Sequence, residues 1–182
     1  MKKTGFFALL VSFLCLFSAC APSEEGFFDY QKELSRVEGV AVCGDEAERG
    51  VVLYFDRDGE GVAFCRRIEY TSPDSLEGLS FTLEGGEVTA SLEGVRIESS
   101  YFSAEDVFAL GELFSLCEED IYEIKSIGEE RTRACGKSDV GEWQVITDKE
   151  GKPLEIKAKG ENGEVVFRIT GIGAEKKQGS LS

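Results

Sequence analysis

Two stretches of strict alternation limit what this chain can become. From Leu79 to Leu92, apolar and polar residues alternate on either side of Glu84-Gly85-Gly86-Glu87, and the pattern recurs from Leu154 to Ile169 around Glu161-Asn162-Gly163. Alternation with period two sends every second side chain to one face of a strand, and a Gly-Gly or Asn-Gly pair supplies a tight hairpin turn. The first hairpin therefore predicts Phe81 opposite Ala90, Leu83 opposite Val88 and Leu79 opposite Leu92, with Ser80, Thr82, Thr89 and Ser91 outward. The second sets Leu154, Ile156 and Ala158 against Ile169, Phe167 and Val165, with Glu155, Lys157, Lys159 and Arg168 outward. A sheet that is apolar on one face needs a cover.

Further strands are expected at Gly39–Cys43, Val51–Phe55, Val62–Tyr70, Ile121–Ile127, Arg131–Cys135 and Glu142–Thr147, with turn signals such as Asp58-Gly59 and Gly151 between them. Two segments carry helical spacing instead. Phe27, Phe28, Tyr30, Gln31 and Leu34 predict an amphipathic helix reaching about Arg36. Ser103 to Asp106 reads as a variant capping box before Val107, Phe108, Leu110, Leu113, Phe114 and Leu116. The expected class is α+β: a curved antiparallel meander of about ten strands, an unclosed barrel, with two helices on its concave face.

Location is written at the start. Lys2 and Lys3 precede an apolar run from Phe6 to Phe17, too short for an ordinary membrane span, and Phe17-Ser18-Ala19-Cys20 closes it. This resembles a bacterial lipoprotein signal, with Phe17 where the pattern usually has Leu. The resemblance implies cleavage before Cys20, a diacylglyceryl group on its thiol, and attachment to the extracytoplasmic face of a cell membrane. An ordinary secretory signal cut near Ala19 or Ala21 is the alternative. The expected division is a signal peptide at 1–19, a lipid anchor and spacer at 20–26, a single domain at 27–173 and a disordered tail at 174–182.

The order of anchor, helix, hairpins, mid-chain helix and further hairpins, with the segments Ser72-Pro73 to Leu92 and Gly151 to Ile169, resembles the LolA/LolB-like lipoprotein-carrier superfamily. That resemblance implies an unclosed barrel plugged by helices, with an acyl chain or lipoprotein anchor held between them. Phe81, Leu83, Val88, Phe108, Leu110, Phe114, Phe167 and Ile169 are the candidate ligand-facing residues. Either they pack against one another, as interiors generally do, or two helices leave an apolar hollow of ligand size. The corresponding functions are binding of a hydrophobic chain or lipidated partner without catalysis, or a structural or sensory module that binds another envelope protein.

Composition narrows the chemistry. The formal charge is −15, and loss of Lys2 and Lys3 takes it to −17, which disfavours nucleic acid as a partner. The chain has no histidine, so the usual general base, the usual triads and most catalytic zinc sites are missing. Gly136-Lys137-Ser138 imitates the end of a phosphate loop, but Arg131 stands where the first glycine belongs; it reads as a surface turn. Asp56-Arg57-Asp58-Gly59-Glu60 imitates a calcium loop and reads as a hairpin turn, and Trp143 reads as core. No cofactor and no metal are expected.

Cys43, Cys65, Cys117 and Cys135 remain after the signal and anchor cysteines, enough for two disulfides in any of three pairings, or for free thiols. A simple meander sets Cys43 opposite about Val52, and Val52 opposite about Cys65. The two thiols would then flank a strand at ~9.5 Å, beyond the ~7 Å that a bridge allows. At the N-terminus only a thiol accepts the diacylglyceryl group. Cys20→Ser should therefore abolish metabolic labelling by a fatty-acid analogue, and equal label on the variant would refute the lipoprotein assignment.

Overall fold

The computed structural model describes residues 25–44, 46–59, 61–98, 102–128, 130–160 and 163–173. The expected signal peptide, Cys20, the tail from Ala174 and the turn residues Glu161 and Asn162 lie outside the described residues.

Eleven strands form one antiparallel sheet: β1 Arg36–Cys43, β2 Arg49–Arg57, β3 Ala63–Ser72, β4 Ser80–Glu84, β5 Glu87–Leu92, β6 Val95–Glu98, β7 Ile121–Ser126, β8 Arg131–Ser138, β9 Gly141–Asp148, β10 Pro153–Gly160 and β11 Gly163–Gly173. Their spatial order is β6-β5-β4-β3-β2-β1-β11-β10-β9-β8-β7. The chain starts in the middle, meanders outward to β6, crosses to the opposite edge and meanders back until β11 pairs with β1. β6 and β7 are the two edges, so the sheet is an unclosed barrel.

Both predicted hairpins are present in register. Phe81 faces Ala90 and Leu83 faces Val88; Ile156 faces Phe167 and Ala158 faces Val165. The tight turn of the first rests on Gly85 and Gly86, at φ +59° and +87°, the left-handed pair that a two-residue hairpin demands. The outermost expected pairs fall outside the paired registers: β4 begins at Ser80, and β10 carries an irregularity between Pro153 and Glu155. On the polar face Lys157 pairs with Glu164 at 2.9 Å and Arg168 approaches Glu155 at 3.7 Å.

Matched registers join these pairs into apolar rows. Ile97, Ala90, Phe81, Ile68, Leu53 and Val37 are successive partners from β6 to β1. Ala41, Phe167, Ile156, Val145, Ala134 and Ile124 continue from β1 to β7. Between Val37 and Ala41 stands Gly39, where an added Cβ would lie 2.7 Å from the Phe167 ring. Its bare backbone leaves the space that the Phe167 ring occupies.

One α-helix, α1 Ala104–Glu112, covers part of this face and packs on β3. It stops before Leu113, Phe114 and Leu116, which are nevertheless buried. Phe114 sits edge-on to Phe55 of β2 at 5.3 Å and to Phe167 of β11 at 5.6 Å. The expected N-terminal helix is corrected. Residues Asp29–Glu33 form a 3-10 segment and Leu34 is already extended. Five residues seldom sustain an α-helix alone. Here the carbonyls of Gln31 (3.1 Å) and Lys32 accept from the Arg57 guanidinium, while the N–H of Phe55 is donated to Ser35 and draws the chain into β1.

Three smaller expectations are also settled. Asp56–Gly59 lies at the β2–β3 hairpin, where Asp58 Oδ1 accepts the Val62 N–H at 2.8 Å, and Glu60 lies outside the described residues. Gly136-Lys137-Ser138 is part of strand β8 and not a turn, because Gly136 pairs with Trp143 and lies under its ring. Val52 faces Glu38 and Glu69, so the expected alignment of Cys43 and Cys65 with Val52 is wrong. The β2–β3 turn sets Ala63 opposite Arg57 and hence Cys65 opposite Phe55, and the pairing shifts further on where Arg66 and Thr71 of β3 are skipped. The strand order β1-β2-β3 holds, Cys65 faces Phe55 at the far end of β2, and Cys43 lies roughly 25 Å away along the strand. All four thiols are free.

Helix and sheet meet most closely where Gly111 of α1 crosses Cys65; a Cβ on Gly111 would fall 2.3 Å from the Cys65 Cβ. Helix propensity alone would make Gly111→Ala stabilising by ~1 kcal/mol. The overlap should reverse the sign, giving a net loss of ~1–2 kcal/mol in denaturant unfolding. A raised unfolding midpoint would refute this contact. The Cys65 thiol also carries a pH signature, since burial pushes it up to about 12 from 9.0. A raised folded-state pKa gives stability that is complete below the unfolded value and lost as pH rises through the folded one. Wild type should thus lose stability relative to Cys65→Ala between pH 9 and 12, and a constant difference across that window would contradict it.

Candidate functional site

The segment from Gly26 to Leu34 lies as a strap across one end of the sheet. Phe27, Phe28 and Leu34 are buried, which fixes the strap through its apolar side chains. Phe28 stands edge-on to Trp143 at 5.7 Å and 66°. Polar ties complete the attachment: the Gly26 N–H is donated to Glu118 Oε1 at 2.8 Å, Gln31 Nε2 to the Leu116 carbonyl at 3.0 Å, and the Ser35 hydroxyl to the Gly173 carbonyl at 2.7 Å. The Trp143 indole N–H is buried beneath the strap with no hydrogen-bond partner among the described residues, and the Tyr30 hydroxyl of the strap is buried too. Burial holds the Tyr30 hydroxyl well above its ordinary pKa, so it stays neutral.

A cleft opens on each side of the strap. The larger, about 860 Å³, is walled by strap residues Gly26, Asp29, Tyr30, Lys32 and Glu33, by the β9–β10 turn and by the end of β11. Its apolar surface comes from Tyr30, Leu154, Ile169 and Ile172. Ile172 is 39% exposed, an uncovered apolar side chain within the cleft. The turn that forms one wall is held by Asp148, whose Oδ1 accepts from the N–H of Glu150 (2.8 Å) and of Lys152 (2.9 Å), and Gly151 takes the left-handed φ of +78°. The charged groups lining the cleft pair with each other, Lys32 with Asp29 at 2.5 Å and Lys152 with Glu150 at 2.9 Å. Such exposed pairs add little stability.

The smaller cleft, about 420 Å³, lies between the strap, Arg57, the Gly61–Ala63 stretch and the Phe114–Glu119 segment that follows α1. Cys117 lines it and is exposed. Both volumes fall in the range of small-molecule sites, ~300–1,000 Å³.

The structure divides the eight residues singled out from the sequence. Ile169 lines the larger cleft and Phe114 borders the smaller. Phe81, Leu83, Val88, Phe108, Leu110 and Phe167 line neither and pack into the hydrophobic core. Tyr30, Pro153, Leu154 and Ile172 were not legible as site residues, because three distant segments meet only when β11 closes on β1. Among the described residues, no group of three or more His, Cys, Asp and Glu side chains is placed to hold a metal ion. No described helix is long and apolar enough to cross a membrane.

No protein-family model matches the sequence, and no curated protein matches it. Solved structures resemble it at low identity. The lipoprotein LppX of Mycobacterium tuberculosis is 10% identical, with 84% of this chain and 97% of that one covered at a TM-score of 0.44. LprF of Mycobacterium bovis is 11% identical, covering 85% and 96% at 0.44. A LolA superfamily protein of Nitrosomonas europaea is 11% identical, covering 84% and 93% at 0.36. The open antiparallel sheet with a helix on its apolar face is what the hairpin pattern of the sequence anticipated.

Proposed function

We propose that this chain is a lipid-anchored extracytoplasmic protein that receives a hydrophobic chain, or the anchor of a lipidated partner, in the larger cleft without catalysing a reaction. The observation that carries this reading is an apolar surface left open in a cleft of about 860 Å³, at the point where the N-terminal segment enters the fold. Apolar surface in a concave site favours an apolar occupant, and the charged side chains that share the lining, Asp29, Lys32, Glu33, Glu150 and Lys152, would face a head group. The central core is packed, with Phe167 and Ile156 fully buried, so the occupant's place is this end of the sheet and not its middle.

A second reading rests on the β6 edge. Val95 and Ile97 are 63% and 48% exposed beside Leu92 at 38%, on a strand whose outer backbone groups face no neighbouring strand of the sheet. Such an edge suits a protein that adds a strand.

Titration of the unlipidated Cys20→Ser protein with a fluorescent sixteen-carbon fatty acid separates the two. Saturable one-to-one binding is expected, weakened at least ~10-fold by Leu154→Glu and by Ile172→Glu and unchanged by Ile97→Glu. Absence of binding, or binding indifferent to both cleft substitutions, would overturn the cleft assignment.

A further inference from the structure

Gly26 is both the first strap residue and part of the wall of the larger cleft, and its N–H is tied to Glu118. The chain that precedes it therefore sets out from a fixed point on the cleft rim. Cys20 lies six residues upstream. An extended chain spans at most ~3.3–3.6 Å per residue, which keeps Cys20 within about 20 Å of Gly26. A group carried on Cys20 can reach back over Leu154, Ile169 and Ile172, and a linker this short holds it at an effective concentration of order millimolar. Ile172 offers it uncovered apolar surface. Membrane attachment, in contrast, brings a domain of net charge −17 against anionic head groups.

We propose that the diacylglyceryl group on Cys20 is itself an occupant of the larger cleft, exchanging between the cleft and the membrane. The inference rests on the lipid-anchor and cleft readings above and adds a regulation to them. While the anchor is in the bilayer the cleft is vacant and accepts another hydrophobic chain. When the protein leaves the bilayer its own lipid fills the cleft, shields itself from water and excludes that second chain. Membrane attachment and ligand capture are then two states of one competition.

The test uses the full lipidated protein, freed of detergent and compared with Cys20→Ser. Sedimentation velocity should find lipidated wild type as a monomer, because a sheltered lipid cannot nucleate micelles. The lipidated Ile172→Glu and Leu154→Glu proteins should assemble into large particles; Ile172 is already part-exposed, so that variant keeps its fold, as circular dichroism will verify. The fluorescent sixteen-carbon fatty acid should bind Cys20→Ser at least ~10-fold more tightly than the lipidated monomer. Micellar assembly of wild type, or equal binding to both proteins, overturns self-occlusion and leaves the cleft reading standing. A non-covalent lipid found in the wild-type cleft by native mass spectrometry also overturns it. If Cys20→Ser binds no fatty acid, both readings fall together.

Discussion

Phe114 is the contact on which the assembly turns. Its ring meets Phe55 of β2 and Phe167 of β11, strands that lie on either side of β1 and belong to the outgoing and returning halves of the meander. An eleven-strand sheet with one apolar face cannot stand in water uncovered, and a nine-residue helix is a small cover. Residues just past that helix, Leu113, Phe114 and Leu116, extend the cover without extending the helix, because they are 3%, 1% and 3% exposed. The N-terminal strap supplies the remainder through Phe27, Phe28 and Leu34.

Close packing of such thin covers requires missing side chains as much as present ones. Gly111 lets α1 settle on Cys65, Gly136 lets the Trp143 ring lie flat over β8, and Gly39 leaves room for Phe167. In each case a methyl group would collide with the side chain that fills the gap. The polar cost is visible under the strap, where the Trp143 indole N–H is buried with no hydrogen-bond partner among the described residues. Polar groups without partners are costly to bury.

The cleft lies where the sheet begins and ends. β11 must return to pair with β1, and Ser35 donates to the Gly173 carbonyl at that meeting. The strap before β1, the turn before β10 and the end of β11 are thus brought together by a single closure, and what they fail to fill is the larger cleft. The free thiols fit the same logic of order over proximity. Cys43 and Cys65 lie on strands separated by β2, so no small adjustment can join them.

The sequence by itself determined the pairing of the two hairpins, since period-two alternation about glycine turns allows one register that sets Phe81, Leu83, Ile156 and Phe167 on the apolar face together. It also determined the class of fold, since a one-faced meander needs a cover and the chain holds few apolar segments able to give one. It did not determine the N-terminal strap, because helical spacing over eight residues is too short a signal when Arg57 competes for the same carbonyls. It could not show β6, whose four residues carry little pattern, or the position of the β2–β3 turn, which sets Cys65 opposite Phe55 instead of Val52. Of the larger cleft the sequence offered Ile169; the rest of the site was decided by tertiary structure. Tyr30, Leu154 and Ile172 lie far apart along the chain, and only the closure of β11 on β1 brings them to one cleft.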